Sequence, residues 1–310
     1  MSRTQYPTTP SLRAVGMSLI VLALLVSGSS LKAQNLGDGI SALEAGRLDE
    51  AERTLSAVVR QHPDSAEPYY YLGLVHFRAG RSAAARAPLE RAVSLSPASA
   101  KAWKLLGLVT TSGGDLDAAA PALGKACELA EKDEEACYYF ARTLHALGRY
   151  ESAREPFEKA LRAASKPTLS KVHRAVALNF AALGSPTEAE RHFVKAVQLN
   201  GRATGQGEDP RVDYGAFLFR QGRTEEAVRP LQQAVRDAPS STRANTELGR
   251  VLLHLDKLDS AAACLEKAVA VEPGNWNARL LLGRAYLRLG RVNEGEREMR
   301  LGQEGWVSKQ

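Results

Sequence analysis

Residues 69–80 read YYYLGLVHFRAG, an apolar run at helical spacing with a glycine in its middle. A glycine at position 73 costs a helix about 1 kcal/mol relative to alanine. Nothing in the neighbouring sequence compensates for that cost. The requirement for Gly73 must therefore come from elsewhere, and the test is whether the pattern recurs along the chain.

The pattern recurs with a period of 34 residues. Leu72-Gly73 is followed one period later by Leu106-Gly107, and Gly80 by Gly114. A shared period of this length is the signature of stacked structural repeats. Glycines in register with Gly73 are Gly39, Gly107, Gly215, Gly249 and Gly283.

Each period contains two segments with apolar residues at helical spacing. A glycine at the place of Gly80 marks the end of the first helix, as C-terminal glycines do. Prolines such as Pro63 and Pro97 end the second helix. The boundary glycines are Gly46, Gly80, Gly114, Gly148, Gly184, Gly222 and Gly290. Each unit is therefore predicted to be a helix pair.

The unit resembles the tetratricopeptide repeat (TPR) in carrying, at the expected spacing, Tyr69, Leu72-Gly73, Ala85, Leu89, Ala92 and Pro97. The resemblance implies an all-α fold, a right-handed superhelical solenoid of antiparallel helix pairs in which Gly73 faces Ala85. It covers about nine tenths of the chain, with a tail at 304–310. The solenoid is predicted over 34–303, in units 32–65, 66–99, 100–133, 134–167, 170–203, 208–241, 242–275 and 276–303.

Three departures interrupt the repeat. Two residues are inserted at Thr168–Leu169 and four at Thr204–Gly207, and Asp256 replaces the boundary glycine of the seventh unit. We expect the stack to continue through both insertions, with a wider turn or a change of curvature at each. The second insertion is rich in glycine and is the better candidate for a hinge.

The first 33 residues have a different character. Arg3 and Arg13 precede the apolar run 14–26, and SGSSLKAQN follows. A positive start, a short apolar core and a small-residue exit are typical of a secretory signal peptide. The segment 1–33 is predicted to be such a leader, which would make the protein periplasmic or secreted. The alternative is an uncleaved leader that anchors the chain in a membrane.

The cysteines number three, Cys127, Cys137 and Cys264, so they cannot all pair within one chain. Cys127 and Cys137 end one unit and begin the next, which leaves a disulfide between them open. The interpretation that we favour from sequence is that all three are small buried residues in helix contacts.

Catalytic and cofactor motifs are missing from the sequence. The six histidines form no HExxH pattern and pair with no cysteine at zinc spacing. No GxSxG elbow and no GxxxxGK phosphate loop occur. We therefore expect no catalytic residue, no metal site and no cofactor, and a protein that is not an enzyme.

A binding groove is what the resemblance implies instead, because stacked helix pairs present their first helices on a concave face. In the family, the second, fifth, ninth, twelfth and thirteenth places of each unit line that face. The candidate partner-binding residues selected at those places are Tyr70, Leu74, Phe77, Lys101, Lys104, Leu108, Tyr138, Arg142, His145, Arg174, Arg220, Arg243, Arg250, Arg284 and Arg288.

Charge distinguishes this lining from the rest of the surface. It carries eleven Lys or Arg and four carboxylates, whereas the whole chain has a net charge of +6, or +3 without residues 1–33. Such a cleft attracts opposite charge. The sequence therefore predicts a scaffold of the cell envelope that binds an acidic or acidic–apolar protein segment. Three alternatives stay open: an accessory module for polysaccharide binding, synthesis or export, a nucleic-acid binder, and arginines that are merely solvated. Export argues against nucleic acid as a partner.

Overall fold

The computed structural model describes residues 36–130, 132–200 and 209–307, and over these ranges it consists of helices joined by turns without any strand. The predicted leader and the insertion at 204–207 lie outside the described residues. The helices are α1 (36–44), α2 (Leu48–Gln61), α3 (Ala66–Arg78), α4 (Ser82–Leu95), α5 (Ala100–Ser112), α6 (Leu116–Leu129), α7 (Glu134–Ala146), α8 (Arg154–Ala163), α9 (Lys166–Ala182), α10 (Pro186–Leu199), α11 (Pro210–Arg220), α12 (Thr224–Asp237), α13 (Thr242–His254), α14 (Leu258–Val271), α15 (Trp276–Arg288) and α16 (Val292–Val307).

The described residues form two compact units, one of residues 36–130 and one of residues 132–200 and 209–307. The first contains α1 to α6, and the second contains α7 to α16. In both, odd-numbered helices are the first helices of the predicted pairs and even-numbered helices are the second. The all-α prediction is confirmed. α16 continues through Val307, into the predicted tail at 304–310.

The turns between paired helices need a left-handed residue, and this need explains the boundary glycines. All seven glycines predicted there have φ between 71° and 81°. Asp256 takes the place of the glycine in the seventh repeat and adopts φ 60°. Among the described residues other than glycine, it is the one with a positive φ. Aspartate tolerates this region better than most residues. The turn therefore keeps its geometry despite the substitution.

Gly73 lies where α3 crosses α4, and the atoms nearest to it belong to Leu89 and not to the predicted Ala85. A Cβ atom at Gly73 would lie 2.5 Å from Cγ of Leu89, which is closer than non-bonded carbon atoms approach. Gly107 stands in the same relation to Leu123, sixteen residues further on, at 2.4 Å. The same spacing joins Gly39 to Leu55, Gly215 to Leu231, Gly249 to Leu265 and Gly283 to Met299. The glycine is thus required by a leucine of the partner helix, or by Met299 in the last pair.

The insertion at Thr168–Leu169 is accommodated inside a helix. α9 has 17 residues, whereas α7 and α13 each have 13. The added residues form an extra turn at its N-terminus, where a proline lies in the first turn. Proline is well tolerated there because the first amide groups of a helix have no partner within it. The expected wider turn is therefore replaced by a longer helix.

First helices of neighbouring pairs contact each other inside each unit, as α3 does with α5 and α13 with α15. Second helices of neighbouring pairs have at most weak contact. Helices that approach on one side and separate on the other curve the stack toward the side of contact. Within each unit, the first helices therefore lie on the inner side and the second helices on the outer side.

The cysteines are not all small buried residues in helix contacts, as we favoured from the sequence. Cys127 and Cys137 are disulfide-bonded, and Cys264 is a free, half-buried thiol. Burial raises the pKa of the Cys264 thiol, which keeps it protonated.

Among the described helices, none combines the length and the apolar character needed to cross a membrane.

Gly249→Ala tests the crossing directly. The new Cβ would lie 2.6 Å from Cγ of Leu265, and overpacking of this kind costs about 1–3 kcal/mol. We expect a clear loss of unfolding free energy in urea, although alanine favours the helix by about 1 kcal/mol. The control is Gly274→Ala, where a Cβ meets no atom within 4 Å. Equal stability of the two variants would contradict the crossing.

Candidate functional site

In the first of the two compact units (α1 to α6), the predicted groove residues lie on α3 and α5. Tyr70, Leu74 and Phe77 are half-buried and pack against the apolar core of that unit, and Lys104 and Leu108 are also half-buried. Lys101 is exposed, with its ammonium nitrogen 4.7 Å from the centre of the Tyr70 ring and 5.5 Å from that of Tyr71. Burial raises the pKa of the Tyr70 hydroxyl. The surface offered here is cationic, with little exposed aromatic face.

A lysine over a pair of neighbouring tyrosine rings recurs at the start of the second compact unit (α7 to α16). Tyr138 and Tyr139 make an edge-to-face pair with ring centres 5.3 Å apart. The ammonium nitrogen of Lys171 lies 4.4 Å from the centre of the Tyr138 ring, and the guanidinium of Arg142 lies 5.7 Å from it. Tyr138 is only 2% exposed. It therefore supports the surface from below and does not line it, while Arg142 is exposed.

His145 has a structural partner. Its Nδ1 lies 3.1 Å from Oδ1 of Asn179, and the Asn179 amide donates to the backbone oxygen of Tyr150 at 2.9 Å. The His145 ring also meets the Tyr150 ring edge to face. These contacts join α7 to α9 and leave His145 half-buried.

Two predicted groove arginines are bound by one aspartate that the sequence did not single out. Asp213 on α11 is 4% exposed and accepts hydrogen bonds from Arg174 on α9 and from Arg243 on α13. Arg174 is itself buried, whereas half of the Arg243 side chain is exposed. A buried carboxylate between two guanidiniums neutralises part of their charge. The net positive charge of this stretch is therefore smaller than counting along the sequence suggested.

The arginines at the end of the second unit surround an open recess of about 530 Å³ on the first-helix side. α11, α13 and α15 supply its walls, and no carboxylate is among the lining residues. The Phe219 and His254 rings meet edge to face with centres 5.4 Å apart. The recess is lined by Phe219, Arg250, Leu253, His254, Leu281, Arg284, Leu287 and Arg288.

The three arginines of this recess differ in how they are held. Arg288 donates to the backbone oxygen of Leu253 at 2.8 Å and to Asp256 at 2.5 Å, so it closes the C-terminus of α13. Arg250 has its Nε 3.4 Å from Glu247. Arg284 is exposed and has no ion-pair or hydrogen-bond partner among the described residues. An anion could therefore bind Arg284 without displacing an internal partner.

Sequence models of the tetratricopeptide repeat match residues 36–100, 78–136 and 246–298, and a second such model matches 112–178 and 218–270. Together these matches cover well over half of the chain. The chain belongs to the tetratricopeptide repeat family.

Individual relatives match parts of this TPR chain. The type IV pilus assembly protein PilF of Pseudomonas aeruginosa is 33% identical over 112 residues, which cover 35% of the chain and 41% of PilF. The chain thus spans about two fifths of that relative. The crystal structure of MamA aligns with a TM-score of 0.50 at 25% identity, over 54% of the chain and 91% of MamA. The Cut9–Hcn1 structure, at 18% identity, shares the fold, with a TM-score of 0.58 over 80% of the chain and 48% of that protein.

The helix pair α9–α10 also contains two histidines in contact, which belong to no sequence motif. His173 on α9 and His192 on α10 have their Nδ1 atoms 3.0 Å apart. Burial lowers the pKa of both rings, and for His192 it does so, together with His173 and Arg191, to about 4. No sequence motif marks this pair, because the two residues are nineteen positions apart on different helices. Over the described ranges, no three potential ligand side chains converge on a metal-binding position.

Acidification should destabilise this hairpin. The His192 pKa of about 4 lies below the ordinary value of 6.5, so the unfolded chain binds the proton more readily. The contribution of the neutral His192 ring to the free energy of unfolding is fully present above pH 6.5 and is lost as the pH falls from 6.5 toward 4. Because the ring is partly exposed, we expect an effect of about 1 kcal/mol.

His192→Phe keeps the ring stack on Phe180 and removes the titrating group. Urea unfolding midpoints measured from about pH 7 to about pH 4.5 should fall less steeply for this variant than for the wild type. His62→Asn, at the end of α2, serves as the control. Identical pH slopes for the wild type and His192→Phe would refute the assignment.

Proposed function

We propose that this TPR chain is a non-enzymatic scaffold of the cell envelope that binds an acidic or acidic–apolar segment of another protein. The proposed contact surface is the side formed by the first helices, and the recess lined by α11, α13 and α15 is the part of it best suited to bind the segment. The observation that carries the proposal is the lining of that recess, where three guanidiniums lie together and Arg284 has no ion-pair partner among the described residues.

Charge complementarity favours a partner with carboxylates. Arg284 has no internal partner, and Arg250 has only Glu247 at 3.4 Å. Guanidinium groups bind carboxylates through two parallel hydrogen bonds, which gives both energy and orientation. The exposed Arg220 on α11 also lacks a side-chain partner among the described residues. An acidic segment that follows the first helices would meet these groups in turn.

The apolar half of the recess favours a mixed segment over a purely acidic one. Phe219, Leu253 and Leu281 line it between the arginines. Leu287, which is 40% exposed, lines it as well. Interfaces draw most of their binding energy from a few apolar or aromatic anchors that enter such pockets. We therefore place one large apolar side chain of the partner here, next to a carboxylate.

The envelope setting is supported by three separate observations. Residues 1–33 have the features of a secretory leader. Cys127 and Cys137 are disulfide-bonded, a state that persists in oxidising compartments. The relative PilF is named as a pilus assembly protein, and pilus assembly takes place at the envelope.

The polysaccharide alternative requires aromatic faces on which sugars can stack. Tyr138 is buried, and Tyr70 and Phe77 pack against the core. Trp103 donates its indole N–H to the backbone oxygen of Pro97 at 2.9 Å and is half-buried. None of the four is fully exposed on the first-helix side, so the protein-segment proposal is favoured.

The test begins with crosslinking in the native envelope, capture of the partner and mass spectrometry, which also reads the mature N-terminus. The affinity of the purified partner is then measured for Arg250→Gln/Arg284→Gln. We expect at least about tenfold weaker binding, because hydrogen bonds between charged groups contribute about 1.5–3 kcal/mol each.

The matched control is Arg297→Gln/Arg300→Gln, which removes the same charge from exposed positions on α16 outside the recess. This control should bind within about twofold of the wild type. An equal loss in both variants would mean that net charge alone attracts the partner. That result would contradict the proposed site.

A further inference from the structure

The outer side of the second unit contains a cavity that is separate from the first-helix surface. It encloses about 180 Å³ between the second helices α8 and α10, with α9 as its floor. It arises because second helices of neighbouring pairs separate while the first helices stay in contact. The lining residues are Arg154, Phe157, Glu158, Leu161, Val176, Asn179, Phe180, Arg191 and His192.

Three flat rings form much of its inner surface. The Phe180 and His192 rings stack with centres 5.6 Å apart and an interplanar angle of 29°, and Phe157 is buried beside them. The hydrogen bond between His173 and His192 fixes the plane of the His192 ring. Leu161 and Val176 complete the apolar wall. Aromatic rings prefer offset stacking or edge contacts with other rings, so the cavity suits a single aromatic ring.

Size agrees with this ligand. A dry apolar cavity of about 150 Å³ is large enough to hold benzene. The polar group on the floor, the Asn179 amide, is already satisfied by Tyr150 and His145. The floor therefore has no unsatisfied polar group for a ligand to bind, and polar contacts with the ligand must come from the two walls, α8 and α10.

The two walls carry unpaired charges of opposite sign. On α8, Arg154 is bound to Glu151 at 2.7 Å, which leaves Glu158 as the free charge. On α10, Arg191 is exposed. Neither Glu158 nor Arg191 has an ion-pair partner among the described residues. A ligand that carries an ammonium and a carboxylate side by side, next to a ring, offers one charge of the right sign to each wall.

The equivalent gap in the first unit, between α4 and α6, has no such lining. It is wider, at about 440 Å³, and Trp103, Ala118, Pro121 and Ala122 line it. Its charged side chains have ion-pair partners, since Arg86 binds Glu90 at 2.8 Å and Lys125 binds Glu128 at 3.1 Å. The aromatic lining therefore distinguishes the α8–α10 gap from the α4–α6 gap.

We propose that this outer cavity binds a free aromatic amino acid. Its ring lies against Phe157, Phe180 and His192, its ammonium group faces Glu158, and its carboxylate faces Arg191. This site is independent of the partner-binding surface on the first helices.

The experiment uses the folded mature protein and three probes: L-phenylalanine, L-leucine and N-acetyl-L-phenylalaninamide. Binding is followed by titration calorimetry and by amide chemical shifts. We expect L-phenylalanine to bind saturably, with shifts confined to α8, α9 and α10, and at least tenfold more tightly than either other probe. Equal affinity for the blocked amide would overturn the proposal, because the charges would then play no part. Absence of saturable binding by L-phenylalanine would overturn it as well.

Variants locate the ligand. Leu161→Phe fills the cavity and should abolish binding, and Glu158→Gln and Arg191→Gln should each weaken it at least tenfold. Arg162→Gln and Glu188→Gln change charges on the same two helices at exposed positions outside the lining, so they should leave the affinity within twofold. Unchanged binding in Leu161→Phe, with its helix content intact, would place the ligand elsewhere and refute the site.

Discussion

The contact between a glycine in a first helix and a leucine sixteen residues later in its partner helix, which recurs in five of the helix pairs, is the constraint on which the rest depends. At Gly73, Gly107, Gly215 and Gly249 a Cβ atom would lie within 2.6 Å of that leucine's Cγ. The helices of a pair can approach this closely only without a side chain at the crossing. The leucine then becomes completely buried, as Leu89 and Leu265 are. Burial of a leucine stabilises the fold by about 1.5–3 kcal/mol, which outweighs the helical cost of the glycine.

Close pairing also decides where surfaces for ligands arise. Within each unit, the first helices contact their neighbours and the second helices separate. The inner side therefore presents a row of first helices, on which arginines lie above an apolar floor. The outer side has gaps between second helices, and their lining residues decide whether a gap is simply filled or becomes a cavity. Both proposed sites in the second unit follow from this single asymmetry.

Much of the fold could be predicted from the sequence because the repeat multiplies a weak local signal. Seven boundary glycines at the same place predict seven left-handed turns, and the structure has them. Asp256 shows that the turn persists without glycine. The contact of Gly73 was assigned to Ala85 and is made by Leu89, because a period locates residues along a helix but does not fix which neighbour points at them. The groove was harder to predict for the same reason. Arg174 and Asp213 are 39 residues apart, and Tyr138 is buried under Lys171. Pairings of this kind depend on side-chain directions that a positional rule does not contain.

A double-mutant cycle at Gly249 and Leu265 tests the central contact most directly. Unfolding free energies are measured in urea for the wild type, Gly249→Ala, Leu265→Ala and the double variant. If the glycine exists to admit the leucine, Gly249→Ala should destabilise the wild type but be neutral or stabilising once Leu265 is alanine. The predicted coupling is about 1–3 kcal/mol, the range found for residues in direct contact. Additive effects, with coupling below about 0.3 kcal/mol, would contradict the account.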